Sequence, residues 1–105
     1  MVVSSTTVDV VKLGSYLDRR NVAAARTVIH GVLDRATGEV VLDAEALRFV
    51  DTAGLAMLMR AHVRAERAGQ TIVLRNCSDE IRRVLAVTRL NRILRVDRRH
   101  LTLSA

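Results

Sequence analysis

Val40-Val41-Leu42-Asp43, followed eight residues later by Asp51-Thr52-Ala53-Gly54-Leu55, is the stretch on which the reading of this chain turns. The first run is apolar and β-branched, as a strand is. Its uninterrupted apolar character points to burial on both faces, as in a parallel sheet. Ala46-Leu47-Arg48-Phe49-Val50 leads into the second stretch, and Leu55 to Ala68 reads as a helix. An acid followed by a hydroxyl therefore stands where a helix begins. The first N–H groups of a helix have no partner within the helix, and its dipole favours negative charge there.

Working outward, Val8-Asp9-Val10-Val11-Lys12-Leu13 predicts a strand, and Gly14 to Asp18 a turn or a second short strand. Asn21 is expected to cap a helix. The stripe Val22, Ala25, Val28, Ile29, Val32 and Leu33 then recurs at spacings of three and four, which is an amphipathic helix ending at Thr37-Gly38. After Asp51, the helix is expected to turn Leu55, Leu58, Met59 and His62 or Val63 inward, with Gly69 as its stop. Thr71-Ile72-Val73-Leu74 predicts a further strand. Asn76 or Ser78 opens a helix through Ile81, Val84, Leu85 and Val87, and Ile93-Leu94-Arg95-Val96 a last strand. Alternating strands and helices predict an α/β fold, a mostly parallel central β-sheet with helices packed on it. Such sheets place function at strand-to-helix junctions, and Asp51–Leu55 occupies one.

A length of 105 residues suits one domain, with a core at about 8–96, a loose N-terminus and a basic tail. Half the residues are hydrophobic, but Tyr16 and Phe49 are the only aromatics, so the core must be aliphatic. This scarcity argues against a stacking platform for single-stranded nucleic acid, and direct nucleic-acid binding is not expected. The formal net charge is +6, and Lys12 is the only lysine, so the positive charge is almost all arginine. Arginine's planar fork suits carboxylates and phosphates; an arginine-rich composition explains the same excess without any ligand. Cys77 is alone, which excludes an intrachain disulfide and a cysteine-pair metal site. No apolar run approaches the roughly 18–20 residues of a membrane span, and no signal-peptide pattern opens the chain. A cytoplasmic protein with no membrane span is expected.

Catalytic and cofactor chemistry find little support. Neither GxxxxGK[ST] nor GxGxxG occurs. His30, His62 and His100 lack metal-ligand spacing. Cys77 beside Ser78 reads as a small buried thiol. Asp43 and Glu45 read as a strand end and loop rather than catalytic carboxylates. The expectation is a non-enzyme without cofactor or metal. Thr52 carries two readings: a helix cap shared with Asp51, or a regulatory hydroxyl whose phosphorylation would add about −1.5 to −2 charges.

Asp51-Thr52-Ala53-Gly54-Leu55 resembles the D-[S/T]-x-G-L signature of STAS domains, the fold of bacterial anti-sigma factor antagonists. The lead-in Val40-Val41-Leu42-Asp43 with Leu47 and Phe49-Val50, and the closing segment Ile81 to Leu94, resemble the family's corresponding stretches. The resemblance implies a module that binds an anti-sigma factor of the serine/threonine kinase type and so frees a sigma factor. It implies Thr52 as the phosphoacceptor, with a phosphatase to reverse the state. Serine is more usual at that position. Partner binding is implied for Asp51, Thr52, Ala53, Gly54 and Leu55. It is also implied for Asp18, where the upstream G-E-[L/I]-D pattern stands as Gly14-Ser15-Tyr16-Leu17-Asp18. Asp51 to Met59 also resembles the small STAS subunit of bacterial phospholipid-transport ATPases, in which the threonine supports docking. The oligomeric state is left open, since an edge strand near residues 8–13 can pair.

Overall fold

The computed structural model describes residues 8–97. The expected loose N-terminus and most of the basic tail lie outside them. Four strands, β1 (Asp9–Lys12), β3 (Glu39–Asp43), β5 (Thr71–Arg75) and β6 (Arg95–Val96), form one sheet in the order β1-β3-β5-β6, every neighbouring pair parallel. Parallel neighbours need crossovers, supplied here by α1 (Val22–Arg35), α2 (Thr52–Arg67) and α3 (Asp79–Val87). In β3, Val40, Val41 and Leu42 are all 0 % exposed, as the uninterrupted apolar run predicts. Val40 and Leu42 share a core with Val11, Ile72 and Leu74 and with Ile29, Leu33, Met57, Leu58, Ile81 and Leu85 from the three helices. Val41 and Val73, paired in register, are buried on the other face. Among the described strands β1 lies at the edge of this sheet, and Val10 in it and Val8 just before it are exposed.

A second, two-stranded sheet was not expected. β2 (Tyr16–Leu17) pairs in parallel with β4 (Phe49–Val50), with Tyr16 opposite Phe49 and Leu17 opposite Val50. Gly14 to Asp18 therefore holds the short strand, and the lead-in to the central motif is a strand as well. Ser15 O accepts from Arg48 N at 2.8 Å, which starts the register. This small sheet ties the loop before α1 to the start of α2.

The helices correct several expectations. Asn21 precedes α1 but makes no side-chain cap. Its Oδ1 accepts from Asp18 N at 2.9 Å and its Nδ2 donates to Tyr16 O at 2.8 Å, bracing the loop instead. Val28, expected inside, is exposed: α1 packs beside β1, and beyond that edge no described strand covers its flank. In α2 the buried stripe is Gly54, Met57, Leu58, Ala61 and Ala65, while Leu55 and Met59 are half-buried and Val63 is exposed. The helix starts at Thr52 rather than Leu55, and its phase is set by small residues that press against the layer beneath. Val87 at the end of α3 is also exposed. Ser78, not Asn76, caps α3, its Oγ accepting from Ile81 N at 3.2 Å. Gly69 follows α2 at φ +73, as a C-terminal stop requires.

Two ties fix α1 against α2 and its exit. Arg64 pairs with Asp34, and Gln70 Nε2 donates to Leu33 O and Ala36 O at 3.0 and 2.8 Å. Among the described residues no helix is long and apolar enough to cross a membrane.

Leu42→Ala, at the centre of the sheet, should lower stability by about 2–5 kcal/mol, read as a lower urea midpoint at constant slope. Val87→Ala should stay within about 0.5 kcal/mol of the parent.

Candidate functional site

Val50 ends β4 in the interior, and the chain turns at Asp51 straight into α2. Asp51 is extended (φ −106, ψ −174) and caps the helix, its Oδ1 accepting from Gly54 N at 2.9 Å. Its other oxygen, Oδ2, accepts from Arg19 N at 3.2 Å, in the loop between β2 and α1. One carboxylate thus serves its own helix start and a loop 32 residues before it. Asp51 N donates in turn to Leu17 O at 3.3 Å.

Gly54 is required by space. A Cβ there would lie 2.3 Å from Leu17 O and 2.8 Å from Val50 Cγ2. The first turn of α2 therefore rests directly on the β2–β4 pair, and no side chain fits between them. Ala53 and Leu55 on either side are half-buried.

Thr52 is the first residue of α2 and is exposed. Because Asp51 supplies the cap, the Thr52 hydroxyl is not needed for it. Among the described residues that hydroxyl makes no hydrogen bond. The sequence left capping and regulation open for Thr52; the capping role belongs to its neighbour.

Asp18 sits in the adjoining loop and is buried. Arg20 grips its carboxylate through Nη2 at 2.8 Å and Nε at 3.1 Å, and the Asp18 Oδ1 accepts from Arg20 N at 2.9 Å. The guanidinium also stacks over the Tyr16 ring, 4.0 Å from its centroid. The Arg20 hydrogen bonds hold the Asp18 carboxyl below its ordinary range, against the opposing effect of burial. The Asp18 backbone oxygen accepts from Asn21 N and Val22 N and so opens α1. Asp18 therefore lies near Asp51 as a brace for the loop that Asp51 holds; its carboxylate is engaged within the chain.

The structure adds residues that a linear reading missed. Beside Thr52, between the starts of α1 and α2, lies an open groove of about 600 Å³ lined by Arg19, Val22, Arg26, Ala56, Met57 and Arg60, together with Asp51 to Ala53. Thr52, Ala56 and Arg60 are spaced i, i+4, i+8, which puts them on one face of α2. That spacing was a usable signal. The approach of Arg19 and Arg26 from α1 was not, since it needs the two helices to be packed. His30 and His62 lie on α1 and α2, partly buried, and His100 falls outside the described residues. Burial pushes the Cys77 thiol up from its ordinary pKa, which suits a packing role.

The family described as "Mlab, STAS domain" matches residues 1–96. This chain belongs to the STAS domain family. Three solved structures share the fold of this STAS chain. A Thermotoga maritima protein assigned as an anti-sigma factor antagonist superposes with a TM-score of 0.72 at 22 % identity, over 84 % of this chain and 78 % of that one. A sulfate transporter family protein from Wolinella succinogenes gives 0.72 at 19 % identity, over 85 % and 75 %. The anti-sigma factor antagonist SpoIIAA in its unphosphorylated form gives 0.67 at 20 % identity, over 92 % and 86 %. A search of curated proteins returns no match. At these identities the likeness concerns the fold: a mostly parallel sheet with three helices, as the sequence predicts.

Two outcomes test this geometry. Gly54→Ala should destabilise the STAS domain by about 1–3 kcal/mol through overpacking and shift the amide resonances of Leu17 and Asp51. Asp18 has a folded pKa below its unfolded one, so its contribution is present above about pH 4 and is lost as pH falls through the folded value. Asp18→Asn should therefore flatten the acid limb of a stability–pH curve, measured by urea unfolding between pH 2 and 6.

Proposed function

We propose that this STAS domain is a protein-binding switch, an anti-sigma factor antagonist acting in the cytoplasm. Its partner in this reading is an anti-sigma factor of the serine/threonine kinase type, whose capture frees a sigma factor. The binding surface is the start of α2, Asp51 to Leu55, with the loop braced by Asp18 beside it. Thr52 is the phosphoacceptor, and a phosphatase restores the binding state.

The observation that carries this reading is the division of labour at the helix start. Asp51 caps, and Thr52 is left exposed with its hydroxyl unengaged. A kinase can reach such a hydroxyl without unfolding the helix. A phosphate there meets the positive end of the α2 dipole, which favours it, and the Asp51 carboxylate, which opposes it. The fold therefore tolerates the modification, and its effect falls on the surface a partner touches. The antagonist fold neighbours support the same reading.

A second reading has its own support. Asp51 to Met59 resembles the STAS subunit of phospholipid-transport ATPases, and the matching family's description does not name an antagonist. In that reading the same helix start docks on an ATPase, and Thr52 acts without phosphate.

Incubation with the cognate anti-sigma kinase and ATP should place one phosphate on Thr52, located by mass spectrometry. Thr52→Glu should weaken binding of that kinase at least tenfold, while Thr52→Val should bind and resist modification. Phosphate on another residue, or unchanged affinity of Thr52→Glu, overturns the switch. Co-purification of a transport ATPase from the native cell selects the second reading.

A further inference from the structure

We propose that the groove beside Thr52 receives an acidic helix of the partner protein, whose carboxylates pair with Arg19, Arg26 and Arg60. This rests on the reading of the α2 start as a protein-binding surface and adds the chemistry of what binds there.

Three cations from three segments line one concavity: Arg19 from the loop before α1, Arg26 from α1, and Arg60 from α2. All three are exposed, and among the described residues none pairs with a carboxylate. The one carboxylate in the groove, Asp51, already divides its oxygens between Gly54 N and Arg19 N. Three guanidinium groups against that one carboxylate leave the groove with a net positive charge, which an acidic occupant complements. Between the arginines the lining is small or apolar, Val22, Ala53, Ala56 and Met57, so a partner can approach closely and bury surface there. From Thr52 to Arg60 the groove follows α2 for about 12 Å, at 1.5 Å per residue. That matches two turns of a helix presenting Glu or Asp at every fourth position.

Guanidinium forks pair with carboxylates in two-point contacts. A nucleic acid would need stacking surfaces or a long cationic track to follow its phosphates. A short groove with Asp51 in its lining offers neither. The same placement gives phosphorylation a direct route to release. A phosphate on Thr52, carrying about −1.5 to −2 charges, competes with the partner's carboxylates for the same three arginines.

The test uses the full unphosphorylated chain and a synthetic helical peptide of Ala with Glu at every fourth position. The expected result is binding in titration calorimetry that weakens as salt rises, with amide shifts at Thr52, Ala56 and Arg60. The double variant R26E/R60E should lose at least tenfold in affinity, while R83E, exposed on α3, should bind as the parent does. Circular dichroism checks that each variant is folded. No binding, shifts mapping elsewhere, or an equal loss in R83E overturns the proposal. So does tighter binding of duplex DNA or phosphatidylglycerol vesicles at the same resonances. The assay uses neither kinase nor phosphate, so failure of the switch at Thr52 and failure of the groove are read separately.

Discussion

The arrangement around the site depends on the Asp51 carboxylate being shared between two backbone N–H groups. One bond closes the first turn of α2, and the other holds the loop that leads into α1. A cap of this kind is worth about 1 kcal/mol to a helix, but its second oxygen gives it a wider reach. The starts of two helices are referred to a single side chain, so their relative position does not rest on side-chain packing alone. Gly54 makes the same junction tight from below, where Leu17 O leaves no room for a Cβ. Asp18, Arg20 and Tyr16 then lock the loop from the far side.

This division explains why one short motif contains both rigid and free residues. Asp51 and Gly54 are consumed by structure, one by hydrogen bonding and one by space. Thr52 lies between them with a fixed backbone and an unengaged side chain. A recognition surface benefits from that combination, because little conformational entropy is lost when a partner binds a group that is already positioned.

Much of the fold was legible because its strands are β-branched and its helices periodic. The run Val40 to Leu42 announced a central parallel strand, and the Ile29, Val32, Leu33 stripe announced α1. β4 was missed because two residues carry no periodicity, and Phe49 in it is exposed. The phase of α2 was misread because its closest contacts are made by Gly54, Ala61 and Ala65, which weigh little on any hydrophobic scale. Asn21 looked like a cap and became a loop brace, and the Asp18 backbone oxygen meets the N–H groups of Asn21 and of Val22, the first residue of α1. At the site, the Asp51–Leu55 motif was visible as a string, but the arginine groove was not. Its members lie on separate segments, and only packing of α1 against α2 makes them neighbours.

The order of the strands has a consequence for where this molecule can act. β1, β3, β5 and β6 cross the sheet in the order in which they occur in the chain. Open α/β sheets that bind nucleotides do so where the order reverses, because neighbouring connections then leave in opposite directions and part to open a cleft. Among the described strands there is no reversal and hence no such parting. The small β2–β4 pair lies beneath the start of α2. The open groove beside Thr52 is lined instead by residues at the starts of α1 and α2. With its strands in monotonic order, the molecule builds this groove on helix starts and not in a cleft between parting strand connections.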